Sequence, residues 1–534
     1  MCTFIAMRKI ISGIILLSCL LLGAGCSFNS DKSSFDIAVI KTYRDIPGIT
    51  DQEITAIEAL KSSRKYFSYG AILSADTFIL PSGTYAGFSP LFCDLLSGIF
   101  GIPFVLEIHS WEFLKNGIDN GTINFSGDFT PTLERKRHYY MSHPIAEHSL
   151  GVFTYGESVK IESELDLNNL KIGFFEDTVT DQLVMNAYPK LEFEAEFIKD
   201  DEIVEALEKG RIDAFIIDSP KAYDYVDRPR IHSHEVLPLA YTPVSLATIM
   251  PELEPIISVM NKYIDAGGID KLYDLYKEGG EEYEKYFFRM SLSMEETAYL
   301  DNLHAKGSKV PVALEYDNYP MSFYNETDSE FQGIAVDVLT EISRLSGIKF
   351  YVATGKNTSW GTILAMLTSG EVSLVSELLY SEERKDNFLW SDRYASSRYA
   401  LLSKTGYPDL KTYQVIRTTV GVGSQSAYEE MYNFWFPGNS NLKYYDSQDE
   451  ALSALDIGEI DLLMASENVL LTMRNYREKP GYKVNIRFNS PLEESYFGFN
   501  KNEEVLCSIF RKAQQNINIG RIQEDWTARI FDYS

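Results

Sequence analysis

Cysteine and positive charge are both scarce in this chain. Only 5 of the 534 residues are Cys, and 49 Lys and Arg residues stand against 77 Asp and Glu residues, for a formal net charge of −28. Such an anionic protein does not bind nucleic acid through its general surface, because that binding needs clustered cations. The 7 His residues show no zinc-ligand spacing. No phosphate loop or nucleophile elbow is present either, so no cofactor or metal is expected.

Long apolar runs are also few, and the clearest one is at the N-terminus. Arg8 and Lys9 precede an apolar stretch over 10–22, which small residues and Cys26 follow. This pattern predicts a secretory signal peptide over residues 1–25. The cysteine resembles that of a lipoprotein box. We therefore expect lipid on Cys26, a tether and linker helix over 26–61, and an exported protein held at the outer face of the cell membrane. Ordinary cleavage beside Cys26 is the alternative.

The sequence repeats itself after nearly 250 residues. Three pairs of landmarks recur at a separation of 248 or 249 residues: Trp111 and Trp360, Arg135 and Arg384, and Asp213 and Asp461. This duplication predicts two similar domains, over 62–290 and 307–534. A helix-capping pattern precedes each domain, at Thr50 and at Ser293, with acidic residues shortly after. Linker helices are therefore expected near 47–62 and over 291–306.

Helices and strands alternate within each repeat. In the first, Ser89 and Pro90 are expected to open a helix that Gly101 ends, before an apolar strand over 102–108. In the second, Gly347 ends the matching helix. This alternation predicts the α/β class with open sheets, which bind ligands at the carboxyl ends of their strands.

Several ordered segments of both repeats resemble one family. In the second repeat they are Tyr319-Pro320-Met321-Ser322-Phe323, Gly333-Ile334-Ala335-Val336-Asp337, Trp360, Ser381-x-x-Arg384 and Trp390-Ser391-Asp392; in the first they are Gly87-Phe88, Trp111, Thr132-x-x-Arg135 and Ser142-His143-Pro144. Together they resemble the bacterial periplasmic solute-binding proteins of family 3, the polar amino-acid type, in tandem as in the extracytoplasmic heads of membrane sensor kinases. The resemblance implies two Venus-flytrap domains, each with two α/β lobes joined by a hinge.

The resemblance also implies where a ligand would bind. In that family the Thr/Ser-x-x-Arg segment holds the α-carboxylate of the ligand, because a guanidinium matches a carboxylate with two parallel donors. A helix start in the second lobe adds N–H donors, and an acid binds the amine. The implied ligand-binding residues are Thr132, Arg135, Thr178, Asp218, Tyr319, Ser381, Arg384 and Ser426. The alternative role of each Arg is a surface ion pair. The alternative role of Thr178 and Ser426 is to cap a helix without contacting a ligand. Ser466 stands where the second repeat would need its amine-binding acid.

These expectations favour binding over catalysis. The leading function is extracytoplasmic binding of a small carboxylate-bearing solute, an amino acid first, for sensing or for delivery to a transporter permease. One alternative is the sensor head of a histidine kinase or diguanylate cyclase without its signalling half; another is an interaction module that binds no ligand. A dehydratase-like enzyme using Glu176 or Glu377 is the least favoured reading.

Overall fold

The computed structural model describes residues 37–528 except 157–158, 177, 200–201, 227, 229, 382–383, 472–480 and 490. The expected signal peptide and Cys26 lie outside the described residues. Contacts divide the chain into two compact units, with the boundary between Gly280 and Glu281. Within the described ranges, no helix combines the length and apolar character needed to span a membrane.

The first unit contains eleven strands in its described part. They are β1 (Phe67–Ile72), β2 (Phe78–Ile79), β3 (Tyr85–Ala86), β4 (Phe104–His109), β5 (Phe125–Phe129), β6 (Tyr140–Tyr155), β7 (Lys171–Phe175), β8 (Glu194–Ile198), β9 (Ala214–Asp218), β10 (Ile231–His234) and β11 (Tyr241–Thr248). Its helices are α1 (Asp51–Ser63), α2 (Phe88–Phe100), α3 (Trp111–Asp119), α4 (Arg135–His138), α5 (Thr180–Ala187), α6 (Ile203–Glu208), α7 (Ser219–Val226), α8 (Glu254–Tyr263) and α9 (Ile269–Met290), the last of which crosses the boundary.

The second unit repeats this succession. Its strands are β12 (Val310–Ala313), β13 (Asp317–Asn318), β14 (Ser322–Asn325), β15 (Glu330–Gln332), β16 (Phe350–Val352), β17 (Leu374–Leu379), β18 (Leu389–Trp390), β19 (Ala395–Ser397), β20 (Tyr399–Lys404), β21 (Val420–Gly423), β22 (Leu442–Tyr445), β23 (Leu462–Ser466), β24 (Tyr482–Arg487) and β25 (Glu493–Phe499). Its helices are α10 (Met294–Lys306), α11 (Ile334–Ser346), α12 (Trp360–Ser369), α13 (Ala427–Trp435), α14 (Gln448–Ile457), α15 (Val469–Leu471), α16 (Glu504–Gln514) and α17 (Ile519–Ala528).

Strand order confirms the α/β class and the duplication. The first unit has the order β4-β1-β5-β11-β6-β9-β7-β8, and the second has β16-β12-β17-β25-β18 and β22-β21-β23-β20-β24. The four lobes therefore share one strand order around β1, β7, β12 or β21. In each lobe, both strands that flank this strand run parallel to it. In the first unit, the long strand β6 belongs to both lobes and joins their sheets into one. Each unit therefore consists of two α/β lobes.

Each lobe has its own apolar core. In the first unit Phe92 and Ile256 lie in one core, and Phe174 and Ile216 in another. In the second unit Ile342 belongs to the core of the first lobe, while the second lobe has separate clusters on the two faces of its sheet. Among the described residues, the buried side chains of each cluster belong to one lobe, so polar side chains can meet in the cleft between the lobes.

Helices are present at both predicted positions, as α1 and α10. Thr50 and Ser293 cap them, and Glu53 and Glu296 complete a capping box in each case. The helix after Ser89 differs from expectation, because α2 begins at Phe88 after Gly87. Gly87 has a φ of +103°, and a Cβ there would lie 2.6 Å from the carbonyl oxygen of Asp76. Only glycine suits this start.

Candidate functional site

A cavity of about 100 Å³ lies between the lobes of the second unit. That is room for several water molecules, the size of a small solute. Lobe one contributes residues that include Glu315, Trp360 and Glu377, and lobe two contributes residues that include Tyr428 and Tyr445. Glu315 follows β12, and Tyr445 ends β22. The cavity therefore lies where an α/β sheet is expected to bind ligands.

Arg384 lines this cavity, and its charge is already paired. Its guanidinium lies 2.6 Å from Oε1 of Glu430, and only 7% of the side chain is exposed. The same group donates a hydrogen bond of 2.9 Å to the carbonyl of Gln425. Because Arg384 comes from lobe one and Glu430 from α13 in lobe two, the pair joins the lobes. Ligand binding by Arg384 stays a prediction. In this structure the carboxylate beside Arg384 is that of Glu430, a residue of the protein itself.

Ser426 also lines the cavity, at the start of α13. Its hydroxyl accepts a hydrogen bond from the N–H of Glu429 at 3.4 Å and donates to the carbonyl of Gly423 at 2.6 Å. It is therefore a helix cap at the cavity wall. The indole N–H of Trp360 donates to the carbonyl of Gln425 at 3.0 Å. The loop before α13 is thus held by Trp360 and Arg384 of lobe one.

Ser381 and Tyr319 are placed differently from each other. The Ser381 hydroxyl is buried and makes no hydrogen bond among the described residues, and its carbonyl accepts the N–H of Arg384 at 3.1 Å. Tyr319 is buried in the core, where its ring packs against Phe323 and Trp526. Its hydroxyl donates to the carbonyl of Trp526 at 3.3 Å. Tyr319 therefore lies in the core of lobe one and lines a second, smaller cavity, not the main one.

Buried carboxyl groups are the feature that sequence reasoning captured least, because it named Glu377 only as a candidate catalytic acid and did not name Glu315 or Glu493. Burial raises the pKa of Glu377, which accepts hydrogen bonds from Asn318 and Ser495. Burial, followed by the charge of Glu377, raises the pKa of Glu315 well above its usual range. Burial also raises the pKa of Glu493 to about 8, and the charge of Glu377 adds to the rise. The sequence did indicate that Glu377 is unusual, because it is an acidic residue within the otherwise mostly apolar strand β17.

Glu377 and Glu493 also line a second, much smaller cavity. It measures about 10 Å³, and Asn318 and Glu377 line both cavities. Oε1 of Glu493 accepts a hydrogen bond of 3.0 Å from the hydroxyl of Tyr428, which also lines the main cavity. Oε2 of Glu493 accepts none among the described residues. The two cavities are therefore neighbours that share a carboxyl wall.

In the first unit, the acid predicted to bind an amine has a partner of its own. Oδ2 of Asp218 lies 3.4 Å from Nδ1 of His148, and Nε2 of His148 lies 2.9 Å from Oδ2 of Asp76. Burial alone would lower the pKa of His148, but the charge of Asp76 and the contact with Asp218 raise it to about 10. A buried cation thus sits between two carboxylates. The corresponding pair in the second unit is uncharged, since Ser466 donates to Ser397 at 2.9 Å.

The remaining predicted residues of the first unit lie at local turns. The Thr132 hydroxyl accepts the N–H of Arg135 at 3.1 Å. The guanidinium of Arg135 lies over the rings of Trp111 and Phe129, 5.8 and 5.7 Å from their centres.

The prediction required Thr178 to lie at the start of a helix, but Thr178 does not cap one. Helix α5 begins at Thr180, and its cap position is Val179. The Thr178 hydroxyl instead donates to the carbonyl of Phe175 at 2.8 Å and closes the turn after β7.

These observations define a class: two-lobed binding domains of the Venus-flytrap type, in tandem. Residues 310–528 match the family model of the bacterial extracellular solute-binding proteins, family 3. The match covers the second domain and confirms the resemblance found in the sequence.

Two curated relatives are similar to this chain. The L-cystine-binding protein TcyA of Bacillus subtilis is 24% identical over 228 residues, which cover 41% of this chain and 82% of TcyA. The sensor protein EvgS of Escherichia coli O157:H7 is 23% identical over 362 residues, which cover 65% of this chain but only 29% of EvgS.

Two solved structures are also similar to this chain. The periplasmic domain of B. pertussis BvgS gives a TM-score of 0.44 at 16% identity, covering 91% of this chain and 95% of that one. A mutant of the arginine-binding protein ArgBP from T. maritima gives 0.39 at 17% identity, covering 43% of this chain and 99% of that one.

Proposed function

We propose that this protein binds a small solute outside the cytoplasm, in the cavity between the lobes of its second domain. The observation that carries the proposal is the cavity itself, whose walls come from both lobes. Polar contacts such as Arg384 with Glu430 and Trp360 with Gln425 join the lobes around it. A solute held there contacts both lobes, so its binding favours the closed arrangement and couples to a hinge motion.

Amino acids and related amines are the first solutes to test. Cystine and arginine are in the names of similar binding proteins, TcyA and ArgBP. The similarity to the sensor EvgS extends over 65% of this chain and favours sensing over delivery to a permease. Under this proposal the protein has no catalytic role. Lipid on Cys26 would hold it at the outer face of the membrane, where closure is read by a membrane sensor or transporter protein.

A thermal-shift screen of the full chain against amino acids, amines and small carboxylates tests the proposal. A solute that binds only the folded state adds about 2.7 kcal/mol of stability at one hundred times its dissociation constant. Ser424 lines the cavity, so Ser424→Trp should fill it and abolish the shift. Ser440→Trp places the same side chain on an exposed site and should keep the shift. If no solute shifts the wild type, the proposal fails and the ligand-free interaction module is favoured.

A further inference from the structure

We infer that the solute of the second domain is a small organic cation, with an amine or guanidinium group and no carboxylate. The inference rests on the proposed function, because it names the ligand class of the same cavity. Four observations support it: the pairing of Arg384, the charge of the cavity wall, the buried oxygen of Glu493 and the aromatic lining.

Arg384 is the residue that would bind a ligand carboxylate, and Glu430 already takes that place. The two charged groups are 2.6 Å apart, on opposite lobes. A ligand carboxylate would have to displace Glu430 while the lobes close, and Glu430 would then lose its cation in a partly buried site. Removing one partner of a buried pair is unfavourable because the other charge stays desolvated. The cavity therefore provides its own carboxylate for Arg384.

The cavity wall carries more acid than base. Among the described residues that line it, the acids are Glu315, Asp317, Glu377 and Asp446, and Arg384 is the one Lys or Arg. Asp317 has a structural role, since it accepts the N–H groups of Gln448 and Asp449 at the start of α14. After Glu430 neutralises Arg384, the wall keeps an excess of carboxyl groups. Burial raises the pKa of Glu315 and Glu377, so a cation bound beside them is favoured because it stabilises their charged forms.

Glu493 gives independent evidence for a donor from outside the protein. It is 3% exposed, and its Oε2 accepts no hydrogen bond among the described residues while it lines the small cavity with Glu377. The neighbouring Ser466 hydroxyl acts to lower the pKa of Glu493, but in this structure it donates its proton to Ser397 at 2.9 Å. A buried carboxyl oxygen without a partner is costly, and an ammonium or guanidinium N–H is the donor that suits it best.

The aromatic lining and the acid–base state agree with a cation. Tyr316, Trp360, Tyr428 and Tyr445 line the main cavity, and aromatic faces attract cations. Because burial raises the pKa of Glu493 to about 8, its carboxyl group is largely protonated at pH 7. A cation bound beside it favours the charged form and displaces a proton. Binding should therefore release protons at pH 7, and affinity should rise between pH 6 and pH 8.

Isothermal titration of the full chain with matched pairs of solutes tests the inference. Agmatine and arginine share a guanidinium group, and putrescine and ornithine share their two amino groups. Within each pair, only the amino acid carries a carboxylate. We expect at least one of the decarboxylated solutes to bind at least tenfold more tightly than its amino acid. Titration at pH 7 in buffers of different ionisation enthalpy should show net proton release. Repeating each titration in Arg135→Ala removes the predicted carboxylate site of the first domain.

Two variants and one control make the outcome specific. Glu493→Gln should weaken binding of the amine at least tenfold, whereas Glu494→Gln, next in sequence and paired with Arg393 outside the cavity, should not. Glu430→Gln should free Arg384 and improve the affinity for arginine. Binding of arginine without agmatine, or of neutral or anionic solutes alone, would overturn the inference and leave the proposed function standing. If no solute bound at all, both would fail.

Discussion

Replacing Glu296 by Gln should destabilise the second domain by about 3 kcal/mol at neutral pH and by much less in acid. Glu296 lies on the first turn of α10 and is buried. Its carboxylate accepts hydrogen bonds from the N–H of Ser293 at 2.6 Å, the hydroxyl of Ser508 at 2.7 Å and the ammonium of Lys512 at 2.7 Å. The last two donors lie on α16, so one carboxylate fastens the linker helix to lobe one.

The magnitude follows from the pKa of this group. Burial alone would raise it, but the hydrogen bonds from Lys512, Ser508 and Ser293 lower the pKa of Glu296 from 4.5 to about 2. A difference of roughly 2.5 units is worth about 3.4 kcal/mol at 1.36 kcal/mol per unit. Because the folded pKa is below the unfolded one, this stability is fully present above pH 4.5. It is lost as the pH falls towards 2, and about 1.4 kcal/mol remains at pH 3.

Urea unfolding at pH 7 and pH 3 measures the effect. Glu295 is the next residue and is exposed, so Glu295→Gln is a matched control that should change stability by less than about 0.5 kcal/mol. The wild type should exceed Glu296→Gln by about 3 kcal/mol at pH 7 and by about half of that at pH 3. An equal difference at both pH values would mean that the charge of Glu296 is not what stabilises the helix. A difference under about 1 kcal/mol at pH 7 would refute the magnitude.

Two further predictions concern the folded domains. His148→Gln should destabilise the first domain by about 3–5 kcal/mol at pH 7, because Asp76 and Asp218 lose the cation between them. Since the pKa of His148 is raised to about 10, wild-type stability from this group should be full below pH 6.5 and fall as the pH rises towards 10. Urea unfolding at pH 7 and pH 9 checks this, with the exposed His232→Gln as control. Gly333→Ala should lower the melting temperature of the second domain and cost at least about 2 kcal/mol. Gly333 has a φ of +129° and its Cβ would lie 2.5 Å from the Met321 carbonyl oxygen, whereas Gly355 has open space and Gly355→Ala should be neutral.

Local patterns were the part of the fold that the sequence could predict. A capping box depends on residues three apart on one turn, so Thr50 with Glu53 and Ser293 with Glu296 were visible in sequence. The partner of Glu296 on α16 could not be predicted from the sequence, because Lys512 is 216 residues away. Periodicity indicates which side chains are buried, but it carries no information about which distant charge lies beside them.

The candidate site shows the same division. Arg384 and Ser426 were placed at the cavity by the family pattern and the repeat. Glu430 was not identified, because its contact with Arg384 depends on how far the two lobes close. Thr178 failed as a helix cap because the turn after β7 uses its hydroxyl locally.

The duplication therefore preserved the backbone of the site more closely than its charges. Asp218 and Ser466 end the matching strands β9 and β23, so a comparison by position predicts that the second domain has lost its amine-binding acid. The structure instead has Glu493 on β25 beside Ser466 in the wall of the small cavity. In the first domain Asp218 faces a buried His148, so the domain with the expected acid has already neutralised it. If the titrations assign the cation to the second domain, then the domain that binds is the one with Ser466 in place of the amine-binding acid of the family motif.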